Sequence, residues 1–387
     1  MNSNSFLSIE SLPNELLCPI LEACATPSLF RVCRNWRSLL TNAAMPALYK
    51  KIAAIHVPQL KDDIQKTAIL DKIYQLESKL TSAEKVNQIF KQVFSLARSL
   101  SPQEFQHAIE KKKNLTIANY SSYLLNINRL WLWKKLPGGD EYLNSEEVKS
   151  LSLEKKGELL KERIKENYQN LTELDLYMAG LTYLPPEIGL LSHLRALDLR
   201  GNKLTNLPIE IGQLKQLNHL NLSGNQLTSL PAEIGQLNQL NDLALSHNKL
   251  TNLPIEIGQL KQLNHLNLSG NQLTSLPIEI GQLKQLNHLN LSGNQLTSLP
   301  AEIGQLNQLN DLSLSGNPLT SLPAEIGQLS QLVWLNLSPN QLTSLPTEIG
   351  QLKQLVKLDL SHNRIASLPV GIMQLPATRV NWEDNLL

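Results

Sequence analysis

The sequence predicts an α/β solenoid, a stack of coils that each lay one parallel strand along a concave side, preceded by an all-α region. Three observations predict it. From Leu171 onward a 23-residue unit occurs nine times in register and a tenth copy begins, its first leucine returning at Leu171, Leu194, Leu217, Leu240, Leu263, Leu286, Leu309, Leu332 and Leu355; a period of this length marks stacked coils. Within each unit, as at Leu220 and Leu222, apolar residues alternate with polar ones, which is the period of a strand. Before residue 171 the apolar residues fall instead at helical spacing, in runs separated by proline and glycine.

Composition narrows the classes of function. The chain has 387 residues, 42% hydrophobic and 18% charged, as expected of a folded protein. Its net charge of +1 hides an asymmetry: residues 1–170 carry 24 Lys and Arg against 18 Asp and Glu, and residues 171–387 carry 11 against 16. Acidic repeats have no use for phosphate backbones, so no nucleic-acid partner is expected. Three cysteines, Cys18, Cys24 and Cys33, form no disulfide framework and fit a reducing compartment. The first residues lack the basic and apolar regions of a signal peptide, and no apolar run is long enough to span a membrane. Asn-Leu-Ser sequons at Asn221, Asn267, Asn290 and Asn336 would invite glycans onto the strand face during secretion. A cytoplasmic location follows as the expectation.

Residues 8–52 read as a small helical module. Ser11 can cap a helix whose first turn holds Pro13 and Glu15, and Leu16, Leu17, Ile20 and Leu21 give it one apolar face. After Pro27 a second segment carries Val32, Cys33 and Trp36, and Pro46 opens a third with Leu48, Tyr49 and Ile52. The words Leu12-Pro13-x-Glu15-Leu16-Leu17-x-x-Ile20-Leu21, Val32-Cys33-Arg34-x-Trp36-Arg37 and Pro46-x-Leu48-Tyr49 resemble the F-box, though the stretch between Ile20 and Val32 is a few residues short of typical members. The resemblance implies a three-helix module docking on the Skp1 adaptor of a cullin–RING ubiquitin ligase. It carries that role onto Leu12, Pro13, Leu16, Leu17, Ile20, Leu21 and Trp36.

Residues 53–168 read as a helical spacer and N-terminal cap of the solenoid. Ile64, Leu70, Ile73, Leu76 and Leu80 form one helical stripe, and Val86, Ile89, Phe90, Val93, Phe94 and Ala97 another. Ser101-Pro102-Gln103-Glu104 has the form of a helix start. A third helix is expected over 118–136, ended by Pro137-Gly138-Gly139, and a last one over about 145–166. Of Trp131 and Trp133, at least one is expected to seal the open end of the first coil. Lys111-Lys112-Lys113 reads as a solvated helix end.

Residues 169–387 are the repeats, nine full units and a partial capping one. In the third, Leu217, Leu220 and Leu222 point inward around the strand, Asn225 turns the chain and bonds backbone of its own and the next coil, and Ile234 and Leu237 pack the convex side. A single unit cannot cover its own apolar face, so the units fold only as a stack. The pattern L-x-x-L-x-L-x-x-N-x-L is similar to that of the leucine-rich repeat family, which implies a horseshoe with parallel concave strands. Ala179 replaces the turn asparagine in the first unit, and Val380, Trp382 and Asn385 take the Leu, Leu and Asn places in the last, making Trp382 a C-terminal seal.

Binding candidates are the residues that face outward from the strands or break the repeat: Tyr177, Arg195, Arg200, His219, Asp242, His265, His288, Asp311, Val333, Trp334 and Lys357. Trp334 stands where other copies have His, Asp or Lys, and an exposed indole is a favoured anchor. His265 and His288 share a column on adjacent strands, but no third ligand is evident, so no metal and no cofactor are expected. Their joint protonation in mild acid would weaken partner binding.

No catalytic constellation is present, so the protein is read as a non-enzyme. A bacterial repeat-bearing ubiquitin ligase is set aside, because no cysteine follows Cys33 to act as its nucleophile. Two readings remain. In the first, the repeats recruit a target protein to a Skp1–cullin–F-box ubiquitin ligase. The repeat wording is similar to that of bacterial proteins, so an F-box attached to it implies an effector secreted by a bacterium into a host cytosol. In the second, the chain is a signalling scaffold for a small GTPase or a phosphatase, whose partners' repeats also read Leu-Pro-x-Glu-Ile-Gly.

Overall fold

The computed structural model describes residues 40–105, 117–375 and 379–386, which group into two compact units dividing between Leu160 and Lys161. The F-box-like residues Leu12, Pro13, Leu16, Leu17, Ile20, Leu21 and Trp36 lie outside the described residues, as does Lys111-Lys112-Lys113. An all-helical region followed by one sheet of ten parallel strands is the predicted α/β solenoid.

The described residues of the first unit form a π-helical turn over Leu40–Ala44, then α1 (Met45–His56), α2 (Asp63–Tyr74), α3 (Ser82–Leu100), α4 (Ile117–Lys135), α5 (Gly139–Leu143), α6 (Glu146–Lys149) and α7 (Leu153–Asn167), the division between the units falling within α7. Local chemistry sets the starts. The Asp62 carboxylate accepts from the Ile64 N–H at the head of α2, and Thr81 with Glu84 forms a reciprocal capping box at α3. Leu70 and Ile73 are buried as expected of the α2 stripe, but Ile64 is exposed.

The helix start expected at Ser101 is the end of α3. The Ser101 N–H donates to the carbonyl of Ala97, residues 102–105 form a turn, and the Glu104 carboxylate instead accepts from the Leu153 N–H at 2.6 Å, at the positive end of α7. Trp133 is fully buried against Tyr142, with ring centroids 5.6 Å apart, so within its own unit it is a core residue.

Two polar clusters tie these helices together. His56, Tyr74 and Tyr120 are buried in a triangle: His56 Nε2 lies 3.1 Å from the Tyr120 hydroxyl and 3.2 Å from that of Tyr74, and the hydroxyls are 2.7 Å apart. Burial holds the imidazole neutral, pulling His56 down to about 4, and pushes both phenols up. Nearby, Asp71 accepts from the Tyr49 hydroxyl and pairs with Lys85 at 2.6 Å, joining α1, α2 and α3.

The second unit holds the strands β1 (Glu173–Asp175), β2 (Ala196–Asp198), β3 (His219–Asn221), β4 (Asp242–Ala244), β5 (His265–Asn267), β6 (His288–Asn290), β7 (Asp311–Ser313), β8 (Trp334–Asn336), β9 (Lys357–Asp359) and β10 (Arg379–Asn381), paired in chain order. Register is strict: the middle residues Leu174, Leu197, Leu220, Leu243, Leu266, Leu289, Leu312, Leu335 and Leu358 stack inward, and Val380 completes the column on β10.

Three devices make one coil fit the next. The first is the turn asparagine. Asn225 Nδ2 donates to Leu222 of its own coil and to Leu199 of the previous one, and its Oδ1 accepts from the Leu204 N–H, also one coil back. The expectation that it serves the next coil is thus corrected. The amide follows its own strand in the chain, and the groups still open at that point belong to the coil already laid down. The ladder runs from Asn202 to Asn385, the latter bonding Leu360, Trp382 and Ile365.

The second is the glycine in the convex 3-10 helix that follows each Leu-Pro. At Gly235, in the helix Ala232–Gln236, an added Cβ would stand 2.6 Å from the Glu256 carbonyl oxygen of the next coil. The third is a left-handed residue after every strand but β8, where Pro339 stands; Gly224 is at φ +70°, a conformation that His247 and His362 also adopt. At the last coil Trp382 takes an inward leucine place but is 49% exposed, with Leu386 also exposed.

Candidate functional site

The third residue of each coil lies on the strand face, and the ladder sets these residues side by side: Glu173, Ala196, His219, Asp242, His265, His288, Asp311, Trp334, Lys357 and Arg379. The sequence reading had this column in the correct register through Lys357. It did not foresee how the side chains pair. His265 and His288 stack with centroids 4.4 Å apart and planes 8° from parallel. His288 Nδ1 lies 2.6 Å from an Asp311 carboxylate oxygen, and His219 Nδ1 lies 3.9 Å from Asp242. The Lys357 ammonium sits over the Trp334 ring, 5.4 Å from its centroid. The signal for the two His–Asp pairings was present as a histidine and an aspartate at one repeat position of adjacent units.

Beneath this row runs a second column, Asp175, Asp198, Asn221, Ala244, Asn267, Asn290, Ser313, Asn336 and Asp359. Each amide or carboxylate here folds back on its own chain, as Asn267 does in accepting from the Ser269 N–H at 3.0 Å. Asn267 and Asn290 thereby spend Oδ1 and keep Nδ2 as a donor. The two columns enclose a groove of about 450 Å³ lined by Asp242, Ala244, His265, His288, Asp311 and Trp334 among others.

The remaining candidates flank the row. Val333 is 39% exposed beside Trp334, and Val356 is exposed one coil on. Trp334 itself is half-buried, and its indole Nε1 is buried with no hydrogen-bond partner. Near the first coils, Tyr177 is exposed beneath the Arg200 guanidinium, 5.2 Å from the ring centroid. Arg200 also forks onto the Asp198 carboxylate at 2.5–3.0 Å. Partial burial pushes that carboxyl up, but bonds from the Arg200 side chain and N–H outweigh it and hold it below the usual carboxylate range. Arg195 is exposed and shares a shallow basic depression with Lys215 and His219. Tyr177, Arg195 and Arg200 thus lie at the early coils and Val333, Trp334 and Lys357 at the late ones, with the His and Asp residues between.

Among the described residues no group of three or more His, Cys, Asp or Glu is placed to hold a metal ion, and no helix is long and apolar enough to cross a membrane. What the coils define is a class: a rigid parallel-strand solenoid presenting one polar and aromatic row. Two family models, described as leucine-rich repeat region and leucine rich repeat, match residues 149–249 with 279–341 and residues 262–283 with 354–375. The chain belongs to the leucine-rich repeat proteins.

Among solved structures it is similar to a leucine-rich repeat protein of Leptospira interrogans, at 39% identity over 58% of this chain and 69% of that one, with a TM-score of 0.43. It is also similar to the leucine-rich repeat ectodomain of the membrane receptor kinase GASSHO1/SCHENGEN3 from Arabidopsis thaliana in complex with CASPARIAN STRIP INTEGRITY FACTOR 2, at 38% identity over 55% of this chain and 27% of that one, with a TM-score of 0.49. A TDR receptor matches at 26% identity over 60% of this chain and 45% of that one, with a TM-score of 0.47. No curated protein sequence matches the chain, and no F-box domain is found in it.

Proposed function

We propose that the protein is an interaction adaptor whose strand face seats a target protein while residues 8–52 dock on a Skp1-type adaptor, bringing the target to a Skp1–cullin–F-box ubiquitin ligase. The observation that carries the first half is the exposed row from His219 to Lys357: non-identical, paired side chains held on an otherwise repetitive and rigid ladder. A scaffold varies in this way where it reads a partner and repeats itself where it only folds. The second half rests on the Leu-Pro and Val-Cys-Arg-x-Trp words alone. The bacterial style of the repeats supports action in the cytosol of a host cell, where such an adaptor exists.

The test is direct binding of purified Skp1 to the full chain and to the variant with Leu12→Ala and Pro13→Ala, with circular dichroism confirming that both fold. Binding by the wild type that the double variant loses supports the adaptor. No binding by the wild type removes the ligase and leaves a signalling scaffold of the GTPase- or phosphatase-binding kind.

A further inference from the structure

The strand row contains an internal duplication. Residues 217–239 and 286–308 are identical, and the strand after each carries aspartate at the third position. The row therefore presents the dyad His219 with Asp242 and, three strands later, the dyad His288 with Asp311. Parallel strands lie about 4.8 Å apart, so the two carboxylates recur at about 14 Å. An extended chain rises about 3.4 Å per residue and turns every second side chain to the same face. Residues i and i+4 of such a chain laid along the row thus arrive about 14 Å apart, whereas i+2 falls about 7 Å short.

The groove suits such an occupant. The side chains of Asp242 and Asp311 are 46% and 33% exposed, and among the described residues each carboxylate meets only its own histidine. The stacked His265 and His288 rings make a flat floor between them. Ala244 leaves room where Asn221 and Asn267 would fill it, and the Nδ2 groups of Asn267 and Asn290 face no acceptor within the described chain, so they can meet backbone carbonyls. Beside Asp311 stands the Trp334 ring, which already holds the Lys357 ammonium over it, 5.4 Å from its centroid. The repeats as a whole are acidic, with 11 Lys and Arg against 16 Asp and Glu.

We infer that the groove takes an extended segment of a protein partner bearing two basic side chains at positions i and i+4, one on Asp242 and the other between Asp311 and Trp334. This rests on the strand face being the partner-binding face and does not depend on Skp1. The probes are fluorescein-labelled Gly/Ser peptides carrying two arginines spaced by two, three, four or five residues, one arginine, or two glutamates at spacing four. Fluorescence anisotropy is read against the full chain.

The four-residue spacing is expected to bind about tenfold tighter than the one-arginine peptide or the two-residue spacing, the size of one charge-assisted pair. Asp242→Asn and Asp311→Asn should each reduce it to the one-arginine level, while Glu256→Gln, the same charge change in a convex 3-10 helix, should leave it unchanged. A series flat in spacing, equal binding of the glutamate peptide, or equal loss in Glu256→Gln overturns the inference. The strand-face reading is judged separately, by whether proteins retained from a host-cell lysate are lost in Trp334→Ala.

Discussion

Asn271 Nδ2 donates at 2.9 Å to the carbonyl of Leu245, one coil earlier, and at 2.9 Å to that of Leu268 in its own coil, while its Oδ1 accepts from the Leu250 N–H at 3.1 Å. One buried side chain thus satisfies three backbone groups of two coils. Asn271→Ala leaves the Leu250 N–H unpaired and takes one of two amide donors from each carbonyl, Leu245 keeping Asn248 and Leu268 keeping Asn294, and a buried polar group without a partner costs about 1–3 kcal/mol. We expect a loss of about 1–3 kcal/mol, read as a lower urea midpoint of the repeats. Asn385→Ala, on the last coil where the side chain is only half-buried, should cost less.

The two kinds of glycine should respond differently to substitution. At Gly258 a Cβ would stand 2.7 Å from the Glu279 carbonyl oxygen, a backbone atom that cannot move aside cheaply. Gly258→Ala and Gly258→Asn should both destabilise by about 1–3 kcal/mol, the range for overpacking. Gly224 has room but sits at φ +70°. There, Gly224→Asn should be tolerated better than Gly224→Ala, because asparagine accepts the left-handed conformation and alanine pays about 1 kcal/mol for it. Thermal midpoints of the four variants test the pattern.

His56 makes the helical unit acid-sensitive. In the fold its imidazole is pulled down from 6.5 to about 4 by burial beside Tyr74 and Tyr120, whereas the unfolded chain takes up the proton near 6.5. Between those values the unfolded state binds more protons, so stability is full above 6.5 and is lost as pH falls toward 4, by roughly 3 kcal/mol in all. Urea unfolding followed at 222 nm, where the α-helices dominate the signal, should show this slope. His56→Gln, which cannot titrate, should remove it.

Trp334 and Trp382 should separate binding from folding. Trp334 lies on the strand face under Lys357, while Trp382 takes a leucine place of the repeat at the last coil, partly exposed. Trp334→Ala should weaken partner binding by about tenfold or more, in line with an anchor worth above about 1.4 kcal/mol, with little change in thermal midpoint. Trp382→Ala should lower the midpoint and leave affinity unchanged. The reverse pattern would place the partner at the end of the stack.

The sequence carried the solenoid's period and register in full, because every inward leucine and outward residue recurs at a fixed place. Asp242, His265, His288, Asp311 and Trp334 therefore fall in one row on the repeat spacing alone. What escaped was whatever depends on two coils at once. The previous-coil partners of Asn225, the carbonyl that excludes a Cβ at Gly235 and the stacking of His265 on His288 are distances between residues about 23 apart, which no single unit contains. The His56–Tyr74–Tyr120 triangle was equally hidden, since its members come from α1, α2 and α4 and carry no local motif. Ser101 misled for a related reason: the Ser-Pro-x-Glu word is a sound helix start, but its glutamate was committed to Leu153.

The identity of residues 217–239 with 286–308 has a consequence for how such a chain can change over generations. Misaligned exchange between the two stretches would delete or insert three whole coils without disturbing a single interface, since each junction would reproduce one that already exists. Such an event would alter the number of His–Asp dyads while leaving every core leucine in place. Descendants could then differ in the valence and reach of their strand face while sharing one unbroken fold, so that recognition evolves by counting and folding stays constant.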